Sequence, residues 1–148
     1  MTIREEQRDL FTVPTDYILV HCISADLTMG AGIAKEFAKR GVKQELKDGI
    51  ISHYPVHERI GKCITTVATG WRAEFNLITK EKYWYKPTYS TLKTTLKEMK
   101  RLCLTYNVLH LAMPRIGCGL DRLSWDKVKA IIEEVFTDTD VEILVCVK

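Results

Sequence analysis

No stretch of this chain approaches the ~20 consecutive apolar residues that a membrane-crossing helix requires. Its first residues, MTIREEQRD, lack the apolar core of a signal peptide. No membrane partner is expected, and the expected location is intracellular, nuclear or cytoplasmic. The cysteines are odd in number, widely spaced and without a C-x-x-C: Cys22, Cys63, Cys103, Cys118 and Cys146. This argues against a disulfide framework and predicts reduced, mostly buried thiols. The excess of one charge sign is also small. A net charge of +3 with a pI near 8.6 suits an anionic ligand but falls far short of a dedicated nucleic-acid binder. There is no repeat, no low-complexity segment and no linker-like tract, so a single domain over residues 1–148 is expected. A monomer is expected with it. His53 and His57 have H-x-x-x-H spacing, but Pro55 between them opposes the helix that spacing needs; no metal and no cofactor are expected.

What is present reads as an α/β domain. Ile3 to Gln7 suits a short strand. Tyr17 to Ile23 (YILVHCI) is apolar and β-branched, as a buried strand requires. Helical spacing runs from Gly30 to Arg40, with Ile33, Ala34 and Phe37 on one face, and a second short helix covers Val42 to Lys47. Lys62 to Ala68 and Glu74 to Thr79 are strands. Pro87 is expected to open a helix that continues through Leu104, with Leu92, Leu96, Met99 and Cys103 in register. Val108 to Met113 is a strand, Ser124 the N-cap of a helix through Phe136, and Val141 to Val147 a closing strand. Strands alternating with helices imply three layers around a mostly parallel or mixed sheet.

Ligands of open α/β sheets bind outside the carboxyl ends of the strands. Three stretches fall there: SADLTMGAG (24–32), TKEK (79–82) and PRIGCGLD (114–121). Glycine lets backbone amides approach phosphate oxygens, and a helix N-terminus favours negative charge, so two glycine loops make a diphosphate cradle. Neither loop matches G-x-G-x-x-G or carries the Walker lysine, and each is equally readable as a tight turn. Lys80 is either a solvated strand exit or an amine withdrawn from water that attacks a carbonyl or anomeric carbon. Asp121 is either a carboxylate favouring a helix dipole or a general acid/base. On neighbouring strand ends the two would form an ion pair. Cys118 reads as a small residue that leaves room for ligand, and His21 and His110 as core histidines. The cluster Tyr83-Trp84-Tyr85, between Lys82 and Lys86, is either a stacking surface or a packed lid. Lys35, Lys39, Lys43 and Lys47 are spaced as a solvated face.

Four segments, HCISADLTMGAGIA (21–34), LITK (77–80), KPTY (86–89) and MPRIGCGLDRLSW (113–125), together resemble the macrodomain family, in particular its terminal ADP-ribose protein glycohydrolase branch. The resemblance spans almost the whole chain. It implies a three-layer α/β/α fold with a mixed sheet of about six strands and ADP-ribose as ligand. It places the diphosphate and distal ribose at the loops Gly30, Ala31, Gly32 and Ile116, Gly117, Cys118, Gly119, Leu120, and adds Ile23, Ser24, Met29, Ile33 and Pro114 to the residues that bind ADP-ribose. Asp9 and Leu10, in RDLF, match the segment that meets the adenine. Lys80 and Asp121 match the branch's catalytic pair, nucleophile and acid/base. The implied activity is hydrolysis of mono-ADP-ribose from glutamate or aspartate esters on proteins, and of O-acetyl-ADP-ribose. A reader module without turnover, a phosphatase acting on ADP-ribose 1″-phosphate and a nucleic-acid de-ADP-ribosylase, with nucleic acid as a secondary partner, are the alternatives. Arg8 stands where the family has glycine before the aspartate. Ser24 stands where many macrodomains carry asparagine.

Overall fold

The computed structural model describes residues 1–70 and 72–148. Period-two alternation sorts the strand residues onto two faces. In β2 (Ile18–Ser24), Leu19, His21 and Ile23 face one way and Val20 and Cys22 the other. β4 (Glu74–Lys80) repeats this, with Phe75 and Leu77 opposite Asn76 and Ile78. With β1 (Thr2–Gln7), β3 (Cys63–Thr66), β5 (His110–Met113) and β6 (Glu142–Val147) they form one sheet in the order β1-β6-β5-β2-β4-β3. All neighbours are parallel except β3, which pairs antiparallel with β4 at the edge.

Helices cover both faces because each face is apolar. α4 (Tyr89–Tyr106) buries Leu92, Leu96, Met99 and Cys103; α5 (Trp125–Phe136) buries Val128, Ile132, Val135 and Phe136. Both pack on Val20, Leu77, Leu111, Met113, Ile143 and Val145. The opposite face holds α1 (Gly32–Lys39), α2 (Val42–Asp48) and the one-turn α3 (Val56–Arg59). Phe37, Val42 and Leu46 fill the space over Leu19, Ile23, Ile78, Ala112 and Leu144.

Several boundaries differ from expectation. Pro87 does not open α4; Thr88 is its N-cap, and the Thr88 and Thr91 side chains satisfy each other's backbone amides, a reciprocal cap that sets the start at Tyr89. Ser124 sits at the N-cap of α5 but makes no side-chain capping bond among the described residues. α1 begins at Gly32, because Met29 is left-handed (φ 47°) and Ala31 extended. Gly41, at φ 97°, separates α1 from α2, so the four lysines do not share one helix. Short 3-10 turns at Leu10–Thr12 and Ile50–His53 escape periodicity because they complete less than two turns.

His110 is not a core residue: it is half-buried, with Nε2 2.8 Å from Glu142. His21 is fully buried, stacked on Phe37 at 3.8 Å. Asn76 spends its amide donors on Ile64 O and Thr66 Oγ1, so its Oδ1 accepts from His21 Nε2 at 2.5 Å. Burial holds the imidazole neutral, its pKa lowered to about 4. The unfolded chain therefore takes up this proton more readily than the folded one. The stabilisation is complete above the ordinary histidine value and is lost as pH falls toward 4. Urea unfolding should show about 3 kcal/mol of stability disappearing across that window, and His21→Phe should flatten the profile.

Candidate active site

Parallel strands deliver their carboxyl ends to one edge of the sheet, and β4, β2 and β5 are adjacent there. Their following segments wall a cleft of about 910 Å³, within the range of small-molecule sites. The first wall follows Ser24. Pairing with β4 slips at Ile23/Ser24 and then continues, Ala25 N donating to Lys80 O at 2.8 Å and Asp26 N to Glu81 O at 3.2 Å. The Asp26 carboxylate accepts from Ser24 Oγ at 2.5 Å, Thr28 N at 3.1 Å and Tyr83 N at 3.0 Å. It thereby ties this loop to the segment after Lys80. Lys43 donates to Thr28 O and the buried Arg59 to Ala25 O, so the loop is held from behind by α2 and α3. Gly30, Ala31 and Gly32 are exposed to the cleft, where the first amides of α1 have no side-chain cap among the described residues.

The second wall is the loop after β5. Leu123 N donates to Gly117 O at 2.7 Å and Cys118 N to Arg115 O at 3.2 Å. Arg115 forks onto Glu5 of β1 at 3.1 and 3.2 Å. This folding turns Asp121 toward β4. Lys80 Nζ and Asp121 Oδ1 meet at 2.5 Å, with side-chain exposures of only 13% and 18%. Cys22 lies beneath them, where burial raises its thiol pKa and disfavours the thiolate.

The glycine pair in PRIGCGLD divides its work. Gly117 adopts φ 74°, and an added Cβ would lie 3.0 Å from Leu123 Cδ1. Gly119 has neither constraint: its φ is ordinary and a Cβ would meet nothing within 4 Å among the described residues. Turn geometry therefore accounts for Gly117, while Gly119 faces open cleft. Gly117→Ala should lower stability by about 1–3 kcal/mol in denaturant titration. Gly119→Ala should leave stability within ~0.5 kcal/mol and weaken ligand binding measured calorimetrically.

Of the residues expected from sequence, Ile23, Ser24, Met29 to Ile33, Lys80, Pro114, Ile116, Gly117, Gly119, Leu120 and Asp121 line this cleft. Asp9, Leu10 and Cys118 are not on its lining. Asp9 instead caps the 3-10 turn by accepting from Phe11 N at 2.9 Å, Leu10 is buried in the core, and Cys118 Sγ turns back to Ile116 O. The lining adds Cys22, Thr28, Ala34, Arg115 and Arg122, and it includes the aromatic segment 83–85. Strand alternation hides Cys22 from a reading of loops, and Arg122 reaches the site through a left-handed backbone (φ 60°) that composition does not reveal. Among the described residues no three His, Cys, Asp or Glu side chains cluster closely enough to hold a metal ion.

Residues 20–132 match the family model described as "Macro domain". This chain belongs to the macro domain family. Over 143 residues, 93% of its length, this macro domain is 48% identical to "ADP-ribose glycohydrolase OARD1" of Bos taurus and 46% identical to the protein of the same name from Homo sapiens, covering 86% of each. Its fold superposes on the "Macrodomain of Mycobacterium tuberculosis DarG" with a TM-score of 0.82, across 99% of this chain and 98% of that one, at 22% identity. At that identity the likeness concerns fold alone. The mixed six-stranded sheet between helices is the macrodomain architecture expected from the sequence.

Proposed function

We propose that this macro domain is an ADP-ribose glycohydrolase that removes mono-ADP-ribose from glutamate and aspartate esters on proteins and hydrolyses O-acetyl-ADP-ribose. The observation that carries the reading is the 2.5 Å contact between Lys80 and Asp121 at the edge of a glycine-walled cleft. The names of the two mammalian relatives support the same activity. The exposed amides of residues 30–32 and the open backbone at Gly119 suit a diphosphate, which is large, anionic and rich in acceptors.

An ammonium has no lone pair, so Lys80 must first lose a proton, and the carboxylate in contact with it is the direct acceptor. The neutral amine then attacks the anomeric carbon of the distal ribose. The Nζ–C1″ bond forms as the C1″–O bond to the acyl group breaks, and the carboxylate leaves with the electron pair. Asp121, having passed that proton to the departing carboxylate, next accepts a proton from the water that attacks C1″. The C1″–N bond breaks, lysine recovers a proton, and ADP-ribose departs. A reader module would use the same glycine walls but would have no use for a lysine and an aspartate in contact. Glutamate-linked mono-ADP-ribosylated protein, followed by release of ADP-ribose and by intact mass of the enzyme, tests the reading. A transient adduct of one ADP-ribosyl group on the wild-type chain is the expected result. Tight ADP-ribose binding without release from any ester would refute it.

A further inference from the structure

Tyr83, Trp84 and Tyr85 follow Lys80 by three to five residues and line the same cleft, yet they remain 57%, 63% and 44% exposed. Three adjacent large aromatics left in water are costly unless something covers them. They are also preorganised. Tyr83 meets Trp84 edge-to-face at 4.9 Å, and Trp84 meets Tyr85 likewise at 5.8 Å. Lys82 Nζ sits 5.2 Å from the Trp84 ring and 5.7 Å from the Tyr85 ring. Asp26 and Lys82 anchor the segment through the amides of Tyr83 and Tyr85. Such bracing lowers the ordering cost of binding. Lys82 and Lys86 flank the rings, and exposed Arg122 stands on the same cleft. Nearby carboxylates are committed: Asp26 to Ser24, Thr28 and Tyr83, and Asp121 to Lys80. Glu81 is the one acidic residue within 80–86.

We infer that Tyr83, Trp84 and Tyr85, with Lys82, Lys86 and Arg122, form an acceptor subsite for an acidic peptide segment, the part of a modified protein that carries the scissile ester. The inference rests on the proposed function, because a carboxylate acceptor is what places a peptide there. Acidic flanks complement the cations, and aliphatic stems and peptide planes pack on ring edges. A nucleic-acid strand fits less well. It needs a continuous cationic track with free ring faces, but Lys82 caps the rings, Lys39 pairs with Glu36, and Lys43 is spent on Thr28 O.

The test compares wild type with Trp84→Ala and with Lys82→Glu/Lys86→Glu. Substrates are O-acetyl-ADP-ribose, a glutamyl-ADP-ribose peptide with acidic flanks, the same peptide with neutral flanks, and an ADP-ribosylated single-stranded oligonucleotide. Trp84→Ala should raise KM for the acidic-flanked peptide ~10-fold, with kcat and O-acetyl-ADP-ribose turnover within ~2-fold. The charge variant should remove the preference for acidic over neutral flanks. Equal losses on acetyl and peptide substrates, no loss on the peptide, or a loss confined to the oligonucleotide would overturn the subsite. Should wild type hydrolyse no ester at all, the proposed function fails by itself. Equilibrium binding then decides the subsite: Trp84→Ala must weaken the acidic-flanked peptide ~10-fold and free ADP-ribose not at all.

Discussion

Lys80→Ala is expected to cut release of ADP-ribose from glutamyl esters by at least ~10³-fold in kcat while the folded protein still binds ADP-ribose. The separation follows from position. Lys80 stands at the carboxyl end of β4, partly shielded, and holds no part of the sheet together beyond its main chain. Among the described residues its ammonium bonds only to the Asp121 carboxylate, so its loss should leave the glycine loops in place. Lys80→Arg should not restore turnover, because a guanidinium keeps its proton and is not a nucleophile at neutral pH. Asp121→Asn should lose ~10²–10⁴-fold, the usual worth of a positioned acid/base, and should change the lifetime of any lysyl adduct. Stopped turnover assays and intact mass read these effects. Wild-type rates in Lys80→Ala would remove the nucleophile from the proposal.

Glu74→Ala should destabilise the fold by about 3–5 kcal/mol. Glu74 lies at the opposite end of the same strand and has no exposed surface. Its carboxylate accepts from Thr66 Oγ1 at 2.7 Å, Ala68 N at 3.0 Å, Thr69 N at 3.3 Å and Thr69 Oγ1 at 2.6 Å. Alanine would strand those donors where water replaces the carboxylate poorly, and each unpaired buried group costs about 1–3 kcal/mol. Some of that is recovered if the 66–69 turn opens to solvent. Urea denaturation should show a lower midpoint. At a temperature where the variant is still folded, KM for the ester substrate should be unchanged, because the cleft is at the other edge of the sheet. A full-strength catalytic defect without a stability loss would contradict this division of β4 into a supporting end and a reacting end.

Much of this was legible along the chain. The α4 pattern of Leu92, Leu96, Met99 and Cys103 marked a helix, since a core-facing stripe at that spacing has no other regular solution. The helix start was misread at Pro87 because a reciprocal threonine cap depends on side-chain geometry that spacing does not express. His110 was misread because it is the first residue of an otherwise buried interior strand, at the end where Glu142 and Asp16 replace apolar neighbours. The glycine loops, Lys80 and Asp121 stood out as residue types at strand ends. The roles of Gly117 and Gly119 differ only through φ and the position of Leu123, a residue from beyond the loop.

Local pattern, then, determined the order of strands and helices and the buried faces, because alternation and helical spacing are properties of neighbouring residues, while the family followed from the resemblance of four short segments. Contact between Lys80 and Asp121, 41 positions apart, was decided by tertiary structure alone. It required β4, β2 and β5 to lie side by side and parallel, and nothing in either short segment encodes that adjacency. The exposure of Tyr83, Trp84 and Tyr85 was decided the same way: whether an aromatic cluster is core or surface depends on what the rest of the chain leaves uncovered.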